Sequence, residues 1–64
     1  GGVWLGREGL DKAVKLVQKI SREIGKTPTT THPAFSSVMS ALYRKTWKEF
    51  GISSWRDLLK QALN

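Results

Sequence analysis

The sequence predicts an all-α fold: a compact three-helix bundle, helix-turn-helix-like, with an N-terminal arm packed on it. Three observations carry this. Apolar residues recur at helical spacing in three segments, near 10–24, 33–50 and 55–63. Gly25 and Gly51 stand where helices stop, and Pro33 and Ser54 stand where helices start. No alternating apolar and polar run reaches useful strand length.

Residues 1–9, GGVWLGREG, are too rich in glycine to read as helix. They are expected to form an arm that lays Trp4 and Leu5 across the domain. The alternative is an arm whose Arg7 reaches into a groove of nucleic acid. Packing is preferred, because Trp4 is large and a short chain has little core. The chain opens Gly-Gly rather than Met, so part of the arm is expected to be tag-derived and the domain to be cut from a larger protein.

The first helix is expected from Leu10 to Ile24, with Gly9 as its cap and Glu8 and Asp11 near its positive end. At about 100° per residue, Leu10, Ala13, Val14, Val17, Ile20 and Ile24 form one stripe, with Leu16 at its edge. Lys12, Lys15, Lys19 and Arg22 gather opposite it, within a sector of about 80°. Such a stripe is either a solvated face or a ridge that contacts phosphates. Gly25 ends the helix. Residues 26–31, KTPTTT, form a connector in which Pro28 holds Thr27 extended. Thr27-Pro28 also has the form of a proline-directed phosphorylation site, but a turn and cap account for it.

His32 or Thr31 caps the second helix, with Pro33 in its first turn. This helix is expected to reach Phe50, with a break near Ser36-Ser37. Its inner face reads Phe35, Val38, Met39, Leu42, Tyr43, Thr46, Trp47 and Phe50. Arg44, Lys45 and Lys48 lie together on the other side, and Ser37 and Ser40 extend that side toward the N-terminus. Small hydroxyls allow close approach, and bases contact phosphates or guanine edges. Gly51 stops the helix, and Ile52 is placed to pack back on Trp47 as in a Schellman motif. Ser54 with Asp57 resembles a capping box. The third helix follows as Trp55, Leu58, Leu59, Ala62 and Leu63 at i, i+3, i+4, i+7 and i+8. Its start is joined to the second helix by the short GISS segment.

The totals bound the function. Sixty-four residues allow one domain, divided as an arm at 1–9 and a three-helix nucleic-acid-binding domain at 10–64. The chain has no cysteine, so no disulfide or zinc-thiolate staple, and an intracellular setting is expected, cytoplasmic or nuclear. A net charge of +6 and a pI near 10.2 favour a polyanionic partner. No apolar run spans a membrane, and each amphipathic helix spends its apolar face on the others, so no membrane role is expected.

Nothing points to catalysis. Glu8, Asp11, Glu23, Glu49 and Asp57 read as first-turn or solvated helix residues, and His32 is the only histidine. There is no glycine-rich phosphate loop, metal-ligand cluster or activated nucleophile, so no enzyme activity, cofactor or metal is expected.

Two stretches resemble the homing-endonuclease-associated repeat, a small helical module of presumed DNA binding. The first is Gly25-Lys26-Thr27-Pro28-Thr29, similar to that family's Gly-x-x-Pro-Thr segment. The second runs Tyr43-Arg44-Lys45-Thr46-Trp47-Lys48-Glu49-Phe50-Gly51-Ile52-Ser53-Ser54-Trp55 and leads into Leu58-Leu59-Lys60-Gln61-Ala62-Leu63. The family has Phe-Gly-Ser-Trp there, so this chain carries Ile52-Ser53 in addition. The resemblance implies DNA binding through the basic face of the second helix, with Trp55 structural. The run Gly51-Ile52-Ser53-Ser54-Trp55-Arg56-Asp57-Leu58-Leu59 also looks like the end of the LOTUS winged-helix domain, an RNA- or partner-binding module, although wing strands are not visible here.

The sequence reading is therefore an accessory module of a larger protein that binds nucleic acid, DNA before RNA. Arg44, Lys45 and Lys48 are the expected principal contacts, Lys15, Lys19 and Arg22 a second phosphate-binding set, and Ser40 a small contact. The rival is a protein-interaction adaptor that receives a partner helix on an exposed Tyr43 and Trp47. Oligomeric state and the contiguity of the two basic sets stay open.

Overall fold

The computed structural model describes residues 4–64. Residues 1–3, Val3 and the two glycines of which one or both are expected to be tag-derived, lie outside them. The described residues form three α-helices: α1 at Gly6–Ile24, α2 at Ser36–Tyr43 and α3 at Trp55–Leu63. Single 3-10 turns at Pro33–Phe35 and Lys48–Phe50 precede and follow α2. There is no strand among the described residues, and the fold is a small all-α bundle.

The arm is shorter than expected, because α1 begins at Gly6 rather than Leu10. Gly9 is not a cap. It lies inside α1, its N–H donating to the Leu5 carbonyl at 3.1 Å. Its missing side chain serves packing instead: a Cβ there would overlap the carbonyl of Trp4. Trp4 does pack on the core, as expected, but Leu5 does not and stays exposed.

The core joins Leu10, Ala13, Val17 and Ile20 of α1 to Leu58 and Ala62 of α3, with α1 packed chiefly on α3. Phe35, Val38, Ala41 and Leu42 close one side, and Trp47 and Ile52 enter from the following segment. Trp47 and Phe35 are the largest fully buried side chains. Trp55 tilts against Phe35 with ring centroids 4.9 Å apart. Pro28 is also fully buried, so the connector is pinned by its proline. Three residues placed on inner faces by periodicity are exposed instead: Ile24, Tyr43 and Leu63. Each is the last residue of its helix, where the neighbouring element no longer covers it.

The second helix is much shorter than expected. It ends at Tyr43, and the break falls there as well as at the change from 3-10 to α at Ser36. The end is a Schellman motif. The Thr46 N–H donates to the Ala41 carbonyl at 3.1 Å and the Lys45 N–H to the Leu42 carbonyl at 3.0 Å. Lys45 takes the left-handed position, φ 59°, where glycine is usual. The reversal swings Trp47 inward. A second Schellman motif then follows: Gly51, φ 81°, donates to the Lys48 carbonyl and Ile52 to the Trp47 carbonyl. Ile52 and Trp47 are buried in one cluster, the contact that such a motif carries. As a result, residues 44–54 join α2 to α3, rather than the GISS segment alone.

The caps follow local chemistry. His32 Nδ1 accepts from the Ala34 N–H at 3.1 Å, and its ring lies beside Phe35. Ser54 Oγ accepts from the Asp57 N–H at 3.3 Å. The Asp57 carboxylate reaches past the usual capping-box partner to Ser53, whose N–H and hydroxyl it accepts at 3.1 and 3.2 Å. At Gly25, φ 69°, the N–H donates to the Ser21 carbonyl and closes α1.

Candidate nucleic-acid interface

The outer side of α2 is built from small hydroxyls and bases. Ser36, Ser37, Ser40, Tyr43 and Arg44 are all exposed. At about 100° per residue, Ser37, Ser40 and Arg44 fall within a sector of roughly 60°, opposite the buried Val38 and Leu42. Tyr43 stands beside Ser40 on the same side. From Gly25 to Lys48 the chain has no acidic residue.

The three expected principal contacts do not share a helix face. Arg44 caps α2, Lys45 makes the left-handed reversal, and Lys48 opens the second 3-10 turn. The regular helix on which they were placed ends before all three. They are nonetheless close in sequence, exposed, and without an ion pair among the described residues. The one ion pair among those residues is Arg7 with Asp11, at 3.9 Å on the surface of α1. Arg7 also lies over the Phe50 ring, 5.7 Å from its centroid.

A cleft of about 300 Å³ opens between the arm and α2. It is lined by Trp4 and Leu5 of the arm and by Ser37, Ser40, Ala41, Arg44 and Thr46. It brings Ser40 and Arg44 together, while Lys45 and Lys48 lie outside it. Trp4, Leu5 and Thr46 are not legible in the sequence as part of this surface. The apolar arm was legible, but only as core.

The second basic set lies elsewhere. Lys15, Lys19 and Arg22 are exposed on the side of α1 opposite Leu10, Ala13, Val17 and Ile20. The buried faces of α1 and α2 line one shared core. Lys15, Lys19 and Arg22 are thus turned outward from α1, whereas Arg44, Lys45 and Lys48 lie in the segment that follows α2. At its C-terminal end α1 meets α3, where Gln18 Nε2 donates to the Ala62 carbonyl at 2.9 Å.

Asp57 is held below its ordinary range, first by the Ser53 N–H and then by the Ser53 hydroxyl; desolvation opposes them, and Ser54 adds less. Among the described residues there is no group of side chains able to hold a metal ion, and no helix is long and apolar enough to cross a membrane. Comparison with family models, with curated proteins and with solved structures finds no match for the chain.

Proposed function

We propose that this domain binds nucleic acid as an accessory module, with Arg44, Lys45 and Lys48 as phosphate contacts and Ser37 and Ser40 allowing close approach of the backbone. The observation that carries this reading is the outer side of α2 and its following turn: hydroxyls, then three unpaired bases, in a segment without acids. A net charge of +6 draws any polyanion, and that segment is where an approaching phosphate meets no opposing charge before Glu49. Lys15, Lys19 and Arg22 form a separate phosphate-binding set on α1, reached by a second strand or by a polymer that wraps. The preference for DNA rests on the motif likeness, whereas the geometry speaks only for the phosphates. The adaptor reading loses half its patch, since Trp47 is fully buried and only Tyr43 stays exposed.

The test is an NMR titration with a short duplex DNA and with a single-stranded RNA at low salt. Shift changes concentrated on residues 37–48 are expected. Absence of binding to both polymers at low salt, or binding that salt does not weaken, would rule the proposal out.

A further inference from the structure

We infer that Tyr43 and the cleft beside it together take one unpaired nucleotide, its base on the tyrosine ring and its phosphate against Arg44 and Ser40. This rests on the nucleic-acid reading above and deepens it, since it selects single strands over duplexes.

The first observation is exposure. Tyr43 is 92% exposed, far more than any other large apolar side chain described. The remaining aromatic rings, those of Trp4, Phe35, Trp47, Phe50 and Trp55, are all buried or packed on the core. Tyr43 therefore contributes little to the fold. Its position is still well defined, because the Schellman closure at Lys45 ends the helix directly behind it. A tyrosine offers a large flat face with only two rotatable side-chain angles, so little freedom is lost when something stacks on it.

The second observation is the cleft. Its lining joins three hydroxyl residues, Ser37, Ser40 and Thr46, and Arg44 to the apolar Trp4 and Leu5. That combination of donors and apolar surface suits a phosphate with its sugar. Its volume of about 300 Å³ is at the small end of ligand sites and leaves the base outside.

Helix geometry links the two. Ser40 lies three residues before Tyr43 and four before Arg44, so it neighbours both on the helix surface. A phosphate at Ser40 and Arg44 then has Tyr43 within a nucleotide's reach. A base inside a duplex has its faces covered by its neighbours, whereas an unpaired base has a face free for the ring. A protein partner fits less well, because Tyr43 has Ser40 beside it, Arg44 after it and only the half-buried Met39 as an apolar neighbour on its own helix.

The test compares the wild-type chain with Tyr43→Ala, Tyr43→Phe and Lys48→Ala. Each is titrated at low salt with an oligothymidylate, an oligouridylate and a duplex of equal length. Tyr43→Ala should weaken single-strand binding by about five- to a hundred-fold. Tyr43→Phe should retain it, and neither should alter duplex binding. Tyr43 is the only tyrosine, so its ring protons report directly and should move upfield on stacking. Unchanged single-strand affinity in Tyr43→Ala, with a loss in Lys48→Ala, overturns the stacking site and leaves the charge reading standing. An equal loss on duplex and single strand in Tyr43→Ala also overturns it. Failure of the wild-type chain to bind any of the three overturns the charge reading as well.

Discussion

The indole N–H of Trp47 donates to the backbone carbonyl of Trp4 at 2.7 Å, across 43 residues of chain. The two rings meet edge to face, with centroids 6.5 Å apart and planes at 75°. The same Trp4 carbonyl rests where a side chain on Gly9 would be. One backbone group thus fastens the arm to both α1 and the core, and it satisfies the one polar atom of the largest buried side chain.

Trp47→Phe keeps most of the ring and removes the donor. It should lower stability by about 1–3 kcal/mol through the lost hydrogen bond and the gap left behind. Chemical denaturation followed by helical signal measures this; a change under about 0.5 kcal/mol would mean that the bond does not hold the arm.

Gly9→Ala tests the same contact with an opposite expectation from helix propensity. In a helix interior, alanine in place of glycine ordinarily gains about 0.5–1 kcal/mol. Here the added Cβ must displace the Trp4 backbone, and overpacking of this kind costs about 1–3 kcal/mol. The variant should be less stable than wild type and its Trp4 more accessible to a fluorescence quencher. A stabilised variant would show that Trp4 does not dock on Gly9.

Lys45 permits stability and binding to be separated. Its left-handed backbone is strained for lysine and for alanine alike. Lys45→Ala should therefore leave the unfolding midpoint nearly unchanged while weakening nucleic-acid binding. Lys45→Gly relieves the strain and should stabilise by about 0.5–1 kcal/mol while weakening binding equally. Stabilities of the three that fall in another order would contradict the assigned helix end.

These positions also mark where the sequence was and was not readable. Gly25 and Ser54 with Asp57 announce helix ends through local chemistry, and each does that in the structure; Gly51-Ile52 closes the 3-10 turn at Lys48–Phe50, not the second helix. The apolar stripes of α1 and α3 were legible for the same reason. Gly9 was not, because its role depends on a backbone carbonyl brought by Trp4. Lys45 was not, because a left-handed C-terminal residue is signalled by glycine and a lysine there leaves no mark. Tyr43 followed from that error: periodicity was carried across a helix end that was not visible. Of the candidate site, its bases and serines were legible as residue types. The cleft was not, since it needs the arm and α2 to meet.

Asp57 gives a pH dependence. Its carboxylate is held below the ordinary aspartate range by Ser53. A lowered folded-state pKa means that its stabilising contribution is complete above the unfolded value, 3.8, and is lost as pH falls through the folded value. Thermal midpoints from pH 7 downward should fall more steeply below about pH 4 in wild type than in Asp57→Asn. Parallel curves would mean that the Ser53 pairing is absent in solution.

On the proposed reading, three basic residues neutralise phosphates at a time. If all six expected bases acted together, the slope of log affinity against log salt on duplex DNA would approach roughly −5.4. Lys15, Lys19 and Arg22 lie on the outer face of α1, and Arg44, Lys45 and Lys48 lie in the turn after α2, on separate elements. For an oligonucleotide long enough to cover one face, three contacts give a slope of roughly −2.1 on a single strand and −2.7 on duplex DNA. The measurement is that slope for wild type and for Lys48→Ala. The expected value is near −2 to −3 and falls in size by about one in the variant. A slope near zero, or one unchanged by Lys48→Ala, would contradict it.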